Sequence, residues 1–353
     1  MPATFDMAIS PTRTRSRPSR RRAKTVSAAP SHQACAPDMR QIFDPGFSIL
    51  PLSGCEIQAC PIALYCPYQR RPGRIREKGR SMGEARDVIA PVAPGKATVI
   101  TFPPSLDCEL SRFLLSHYGV PFEEQRHTVL FSFFHTLWHG STLYFPLLYG
   151  GGYQPLNNVR QMIDFFDPRC PAGRNLLLGG RERDSVETDW TQFNATLGGA
   201  TAAFAYFHFL PHRAIMLRPL SEGTPAYEVD AVRWAYPLFA GFLRMALKLS
   251  ASRAREALGQ VRQVAQSVDA RLADGRRYLV GDRFSLSDMA FANALAPLVL
   301  PPAYGGPLPT FTEMPPEVQS VVTEMQAHPA GQFALRIYRD HRGPARRAAS
   351  SRA

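Results

Sequence analysis

The sequence predicts a small α/β domain followed by an all-α helical bundle domain, with a disordered N-terminal leader ahead of both. Three observations predict this. Residues 1–90 are rich in Pro, Arg and Ser and show no sustained apolar period. From Ala97 to Gly179-Gly180, short apolar runs of strand type are interleaved with helical spacing. Beyond those glycines, apolar residues recur at steps of three and four. The boundaries follow from the same shifts: a leader over 1–94, an α/β domain over 95–180, a helical domain over 184–340 and a basic, disordered tail over 341–353.

The leader cannot bury enough apolar surface to offset its chain entropy. Its basic run, Arg13, Arg15, Arg17, Arg20, Arg21, Arg22 and Lys24, reads in two ways. It is an Arg- and Ser-rich transit peptide, or it lies upstream of the true start, for instance at Met82. The net charge is +12, and it is unevenly placed. Of 41 Lys/Arg and 29 Asp/Glu, residues 1–90 carry 15 and 7 and residues 336–353 carry 6 and 1, leaving 20 and 21 between them. A near-neutral middle shows no basic stripe, so nucleic acid is not an expected partner. Cysteines stand at 35, 55, 60, 66, 108 and 170. Their spacing lacks the paired Cys-x-x-Cys of a zinc module, and two in the folded region make no disulfide framework. A reducing, cytoplasmic location is expected. The uncharged run Met289–Thr312 is broken by five prolines, so no membrane span is expected.

In chain order, Ala97-Thr98-Val99-Ile100-Thr101-Phe102 reads as a buried strand ending at Pro103-Pro104. Leu106, Leu110, Phe113 and Leu114 mark a helix that Gly119 ends. A second strand is expected over 120–126 and, after an aromatic stretch, a third over Tyr144–Tyr149. Gly150-Gly151-Gly152 turns the chain into a very short fourth strand at Tyr153-Gln154, and Val159, Met162, Ile163 and Phe166 place a helix at 157–167. Trp190, Phe193, Leu197, Phe204 and Phe207 share one helical face, as do Leu258, Val261, Ala265, Val268 and Leu272. A last helix is expected from Pro316 to Gln326.

The most specific stretch is Gly281-Asp282-Arg283-Phe284-Ser285-Leu286-Ser287-Asp288, leading into Met289-Ala290-Phe291-Ala292-Asn293-Ala294. Ser285 reads as an N-cap and Asp288 as a short-armed partner in a capping box, with Phe284 and Met289 placed to close a hydrophobic staple. The phrase resembles the buried core helix of the glutathione S-transferase C-terminal domain. There its role is folding, so Ser285 and Asp288 are not expected to be catalytic. The strand-helix-strand, hairpin, helix order before it is similar to the thioredoxin-like half of the same family, and the resemblance covers about residues 97–340.

The candidate site is the turn Pro103-Pro104-Ser105-Leu106-Asp107-Cys108, because backbone N–H groups at a helix start favour an anion. Lowering a thiol pKa from about 8.5 by roughly two units takes about 2.7 kcal/mol of preferential anion stabilisation, which a hydroxyl donor and a helix start can largely supply. By resemblance, Ser105 takes the place of the family's catalytic serine, donating to the glutathione thiolate. Cys108 falls on the second position of the glutaredoxin-type Cys-x-x-Cys pair. The plainer readings are an ordinary N-cap for Ser105 and a buried helix residue for Cys108. Phe145-Pro146 resembles the family's cis-proline step, which presents the Phe145 backbone to glutathione; the plain reading is a strand-edge proline. The family places Glu or Gln then Ser at the next helix start. Here Asn158 and Val159 stand there, so one glutathione anchor of the family is missing, and Asn157, Asn158 and Gln154 are the candidate substitutes.

The resemblance implies glutathione as co-substrate, conjugation to a hydrophobic electrophile and a homodimer. The alternatives are glutathione-dependent thiol reduction through Cys108, or a non-catalytic binding or dimerisation module. Trp190, Phe193, Tyr206 and Phe207 are candidate pocket residues, against a core role. His135 with His139, and His208 with His212, are each four apart, but neither pair has a neighbouring acid, so no metal site is expected.

Overall fold

The computed structural model describes residues 96–342, all in one compact unit. The expected leader, Cys35, Cys55, Cys60 and Cys66, and the chain from 343 onward lie outside the described residues. Four strands form one mixed sheet in the order β2-β1-β3-β4. They are β1 (Ala97–Thr101), β2 (Phe122–Arg126), β3 (Leu147–Gly150) and β4 (Tyr153–Leu156). β1 pairs parallel with β2 from Ala97↔Phe122 to Thr101↔Arg126, and antiparallel with β3 from Ala97↔Gly150 to Ile100↔Leu147. Flanked on both sides, β1 is apolar and buried at Val99 and Ile100. β2, at the sheet edge, reads Phe-Glu-Glu-Gln-Arg and keeps its charges.

Helix α1 (Leu106–Tyr118) makes the parallel crossover between β1 and β2 and ends at Gly119, whose φ of 72° closes the helix in the left-handed region. Helix α2 (Val129–Gly140) lies between β2 and β3 and α3 (Val159–Phe166) follows β4, so the strand-helix-strand, hairpin, helix order is present. β3 begins at Leu147 rather than Tyr144, and β4 is four residues long rather than two. Helix α2 was not anticipated, because its pattern is inverted. Val129, Ser132 and Thr136 are buried, whereas Leu130, Phe134, Leu137 and Trp138 are exposed.

The helical part follows with α4 (Arg181–Trp190), which passes through a π-helical segment, Thr191–Leu197, directly into α5 (Gly198–Phe209). Then come α6 (Arg213–Ser221), α7 (Ala226–Ala246), α8 (Ala251–Leu272), α9 (Leu286–Val299), α10 (Pro316–Ala327) and α11 (Pro329–His341). The spacing that predicts α8 holds: Val261, Ala265 and Val268 are buried. Helices α6 and α7 lack a clean apolar stripe; α7 carries Pro237 and non-helical angles at Ala235. Helix α11 extends the helical part beyond the expected last helix. Pro329 starts it at a position where no N–H is needed, and Phe333, Ile337 and Tyr338 are buried. His341 therefore belongs to a helix, and Arg342, expected in the tail, is buried.

Helix α9 is the core element: every residue but Pro297 is buried. Its capping box is present. Asp288 Oδ2 accepts the backbone N–H of Ser285 at 2.8 Å and the Ser285 hydroxyl at 2.8 Å, and Oδ1 accepts the N–H of Leu279 at 2.7 Å. One carboxylate thus holds both the helix start and the preceding loop. Asn293, one turn on, donates from Nδ2 to the carbonyl of Leu106 at 3.1 Å and ties α9 to the start of α1.

A buried ionic network joins the sheet to the helical part. Glu109 of α1 accepts from Arg112 at 3.2 Å, from Arg342 at 3.0 Å and from the Gly305 N–H at 3.0 Å. Arg112 also bonds Glu124 of β2 at 2.8 Å, and Glu124 accepts the Thr101 hydroxyl at 2.6 Å. Burial pushes the Glu124 carboxyl up, but Arg112 and Arg126 outweigh it and hold it down at about 2.

Two outcomes are expected. Asp288→Ala leaves two buried N–H groups unpaired at about 1–3 kcal/mol each, so its urea midpoint should fall with an unchanged slope. Glu124, depressed from 4.5 to about 2, contributes stability that is present above pH 4.5 and lost as pH falls towards 2. Glu124→Gln should therefore lose stability less steeply across that window than the parent chain, as followed by circular dichroism in acid.

Candidate functional site

The chain leaves β1 through Phe102-Pro103-Pro104 and enters α1 at Ser105. The Ser105 N–H donates to the Phe102 carbonyl at 3.1 Å, which closes the turn, and its Oγ accepts the Cys108 N–H at 3.4 Å as the N-cap. Accepting uses an oxygen lone pair and not the hydroxyl proton, so capping leaves one donor, for which the Cys108 sulfur and a bound ligand would compete. The helix start supplies partial positive charge at the same place, although Asp107 and Glu109 stand in the first turn.

Cys108 is 0% exposed, and its Sγ accepts the Phe102 N–H at 3.3 Å. Burial pushes the thiol up to about 12, against the opposite pull of Arg112 and of hydrogen bonds from Ser105 and Phe102. A thiol so placed is protonated at neutral pH and closed to attack.

Two neighbouring groups carry unused polarity that the sequence reading did not single out. Asp107 Oδ1 is buried without a hydrogen-bond partner among the described residues, and burial pushes the carboxyl up to about 6, with Asn194 of the π-helical segment drawing it back. The Tyr304 hydroxyl is likewise buried and unpartnered. Burial, with Glu109 next, pushes it well above the usual phenol range, and Tyr206 and Cys108 are among its electrostatic neighbours. An Asp just inside a helix start reads as an ordinary dipole partner, so no sequence signal set it apart.

The Phe145–Pro146 bond is cis. The Phe145 ring is buried between Phe102 and Phe133, at centroid distances of 5.6 and 5.5 Å. Asn158 caps α3: its Oδ1 accepts the Gln161 N–H at 2.9 Å, and Val159 behind it is core. Asn157 donates its N–H to Gln161 Oε1 at 2.7 Å, while its own Oδ1 is buried and unpartnered. Gln154 is exposed on β4. Of the three candidate replacement anchors, Asn157 alone combines burial with an uncommitted acceptor.

The aromatic candidates divide. Phe193 is fully buried against Phe291, centroids 5.2 Å apart, and belongs to the core. Phe207 borders a different place, an apolar cleft of about 270 Å³ lined also by Phe204, Leu258 and Val321 of α5, α8 and α10. Tyr206 lies near Cys108, whose charge would push its phenol further up after burial. Trp190 is partly buried against the core. Of the histidine pairs, His135 and His139 face each other with ring centroids 6.5 Å apart and planes 11° apart, inside a longer stack of rings. His139 stacks on Tyr149, His135 stacks on His127, and His208 packs on Phe204. Among the described residues no helix is long and apolar enough to cross a membrane.

Residues 234–329 match the family model described as the glutathione S-transferase C-terminal domain. No curated protein matches the sequence at a significant level. Among solved structures, a glutathione S-transferase from Sinorhizobium meliloti is 18% identical, with a TM-score of 0.41 over 69% of this chain and 98% of that one. The β-etherase LigF from a Sphingobium strain is 14% identical, with a TM-score of 0.44 over 68% of this chain and 99% of that one. FzlA from C. crescentus is 17% identical, with a TM-score of 0.41 over 69% and 98%. The matched model falls on α7 through α10 and includes the capped core helix α9, which follows the four-stranded sheet in the family order. The family match thus places a glutathione S-transferase C-terminal domain at residues 234–329.

Proposed function

We propose that the protein binds glutathione at the start of α1 and conjugates it to a hydrophobic electrophile, with Ser105 donating to the thiolate. The observation that carries this reading is the place of the Ser105 hydroxyl at the N-cap of α1, beside a cysteine that is sealed and protonated. The nucleophile then has to come from a bound thiol. Its ionisation is favoured by the helix start and one hydroxyl, together of the order of the roughly 2.7 kcal/mol that a two-unit shift requires. Asp107 acts in the opposite sense, since a carboxylate near the thiolate raises its pKa.

The same burial argues against thiol reduction through Cys108. The second reading, a non-catalytic binding or dimerisation module, is favoured by α3. Asn158 is committed to capping and Val159 offers no polar group, so the γ-glutamyl end has at most Asn157 to meet it. A missing charge-assisted hydrogen bond costs about 1.5–3 kcal/mol of affinity, which weakens binding more than tenfold without abolishing it. The homodimer reading is supported by the apolar surface of α2 and α7, where Trp138, Trp234, Leu238 and Met245 are exposed. The cytoplasmic reading is supported by Cys108 and Cys170, both free thiols.

Glutathione at about 100 times its dissociation constant should stabilise the native chain by about 2.7 kcal/mol and raise the thermal midpoint by a few degrees. No saturable shift at millimolar glutathione would move the reading to the non-catalytic module. In assays with glutathione and a chlorodinitrobenzene, Ser105→Ala should lower kcat/KM about 10- to 100-fold, as expected for one hydrogen bond to a charge. Cys108→Ser should leave turnover near the parent value. Equal rates for Ser105→Ala and the parent chain would remove Ser105 from the chemistry.

A further inference from the structure

Glu228, in the first turn of α7, is 0% exposed yet faces two imidazoles. Its Oε2 accepts the Thr128 N–H at 2.7 Å, and its Oε1 lies 2.6 Å from Nδ1 of His127, the residue that follows β2. His135, on the second turn of α2, stacks on His127 with ring centroids 3.7 Å apart and planes 15° apart. No hydrogen bond to the His135 ring is present among the described residues. One ligand atom from each of His127, His135 and Glu228 lies within 4.8 Å of the other two.

A His–Glu pair alone is a common structural strut, joined by a shared proton. A ring stack from His127 through His135 and His139 to Tyr149 accounts for the ring contact, but neither it nor the strut uses the nitrogens of the unbonded His135 beside a buried carboxylate. Two nitrogens and one carboxylate oxygen are a donor set suited to zinc and similar divalent transition metals, with three protein ligands and a position left for water. We propose that His127, His135 and Glu228 form a binding site for such an ion, zinc foremost. A tetrahedral zinc with bonds of about 2.1 Å holds its ligand atoms about 3.4 Å apart, so the His127–Glu228 contact has to open, and the His127 and His135 rings have to turn out of their stack to aim both nitrogens at one ion. His135 is only partly buried, and its ring lies between those of His127 and His139, so this turning is the movement that binding requires. On binding, the ion takes the place of the proton between His127 Nδ1 and Glu228. The Thr128 N–H, already bonded to Oε2, orients the carboxylate from outside the ligand set.

The ligands come from the β2–α2 connection, α2 and α7, with His127 and Glu228 101 residues apart. The ion would link α2 to the helical part. The sequence expectation of no metal site rested on His135 with His139, whereas the fold brings His127 and Glu228 to His135 instead. None of the three residues belongs to the α1 site, so the proposal is independent of glutathione binding.

The test uses full-length protein without a histidine tag, stripped with a chelator and titrated with zinc chloride. One zinc per chain should survive gel filtration, and the thermal midpoint should rise with zinc and return on adding chelator. Loss of an outer partner already costs about 10- to 100-fold in metal affinity, so His135→Ala, which removes a ligand from a partly exposed position, should cost at least tenfold. His208→Ala, on α5, should bind zinc as the parent does. Cobalt chloride should give the visible absorption of a low-coordinate site in the parent and not in His135→Ala. A midpoint indifferent to zinc, or a His135→Ala chain that binds zinc like the parent, overturns the proposal.

Discussion

The buried carboxylate of Glu109 is the constraint on which the arrangement of the rest depends. It sits in the first turn of α1, fully out of water, and is met by Arg112 from its own helix, Arg342 from the end of α11 and the N–H of Gly305. A buried ionic set roughly balances its own desolvation cost when complete, but losing one member costs about 3–5 kcal/mol, because the others are left without a counter-charge. Its effect is therefore on register more than on net stability. The end of α11 and the loop at Gly305 have to sit where Glu109 can reach both. Arg112 carries the constraint into the sheet through Glu124, and Arg126 returns it to the Gly305 carbonyl at 3.0 Å.

The start of α1 is consequently held from two directions. Glu109 fixes its first turn from the α11 side, and Asn293 of the core helix fixes the Leu106 carbonyl next to Ser105. Asn293 is itself met by the Tyr338 hydroxyl at 3.4 Å, so α9 and α11 both bear on the same turn. The capping box matters to the site through this connection. Asp288 sets where α9 begins, and Asn293 sits one turn beyond it. A folding signal in the helical part thereby positions a hydroxyl in the α/β part, without any residue of the box approaching that hydroxyl's turn directly.

Much of this was legible in the sequence where local chemistry and periodicity agreed. Val99 and Ile100 read as a buried strand because they are one, and Leu258, Val261, Ala265 and Val268 read as a helix because one face of α8 packs on the core. Ser285 and Asp288 were readable because a cap is local. Helix α2 was not, since its buried residues are Ser132 and Thr136 while Phe134 and Trp138 face outward, the reverse of the usual pattern. The ion pairs escaped for another reason. Glu109 and Arg342 are 233 residues apart, and nothing at either position marks the other. Arg342 even lay in a basic stretch whose composition suggested a solvated tail. For the site, Ser105 was readable by its place before a helix, but the commitment of Asn158 to capping and the isolation of Asn157 Oδ1 appear only once α3 is built.

Ser105 and Cys108 differ sharply although both belong to the turn after β1. Both side chains lie at one helix start, within reach of the same dipole, yet their surroundings drive them apart. The thiol faces inward, where loss of water outweighs Arg112 and two hydrogen-bond donors and keeps it protonated. The serine remains a neutral donor whatever the pH. A site that needed its own nucleophile would place the sulfur where the serine stands, directly before the first free N–H groups. Under the proposed reading, the protein contributes hydrogen bonds and a helix dipole, and a bound thiol supplies the reactive sulfur. The buried Cys108 then serves α1 by accepting the Phe102 N–H at 3.3 Å, which fixes the turn that carries Ser105.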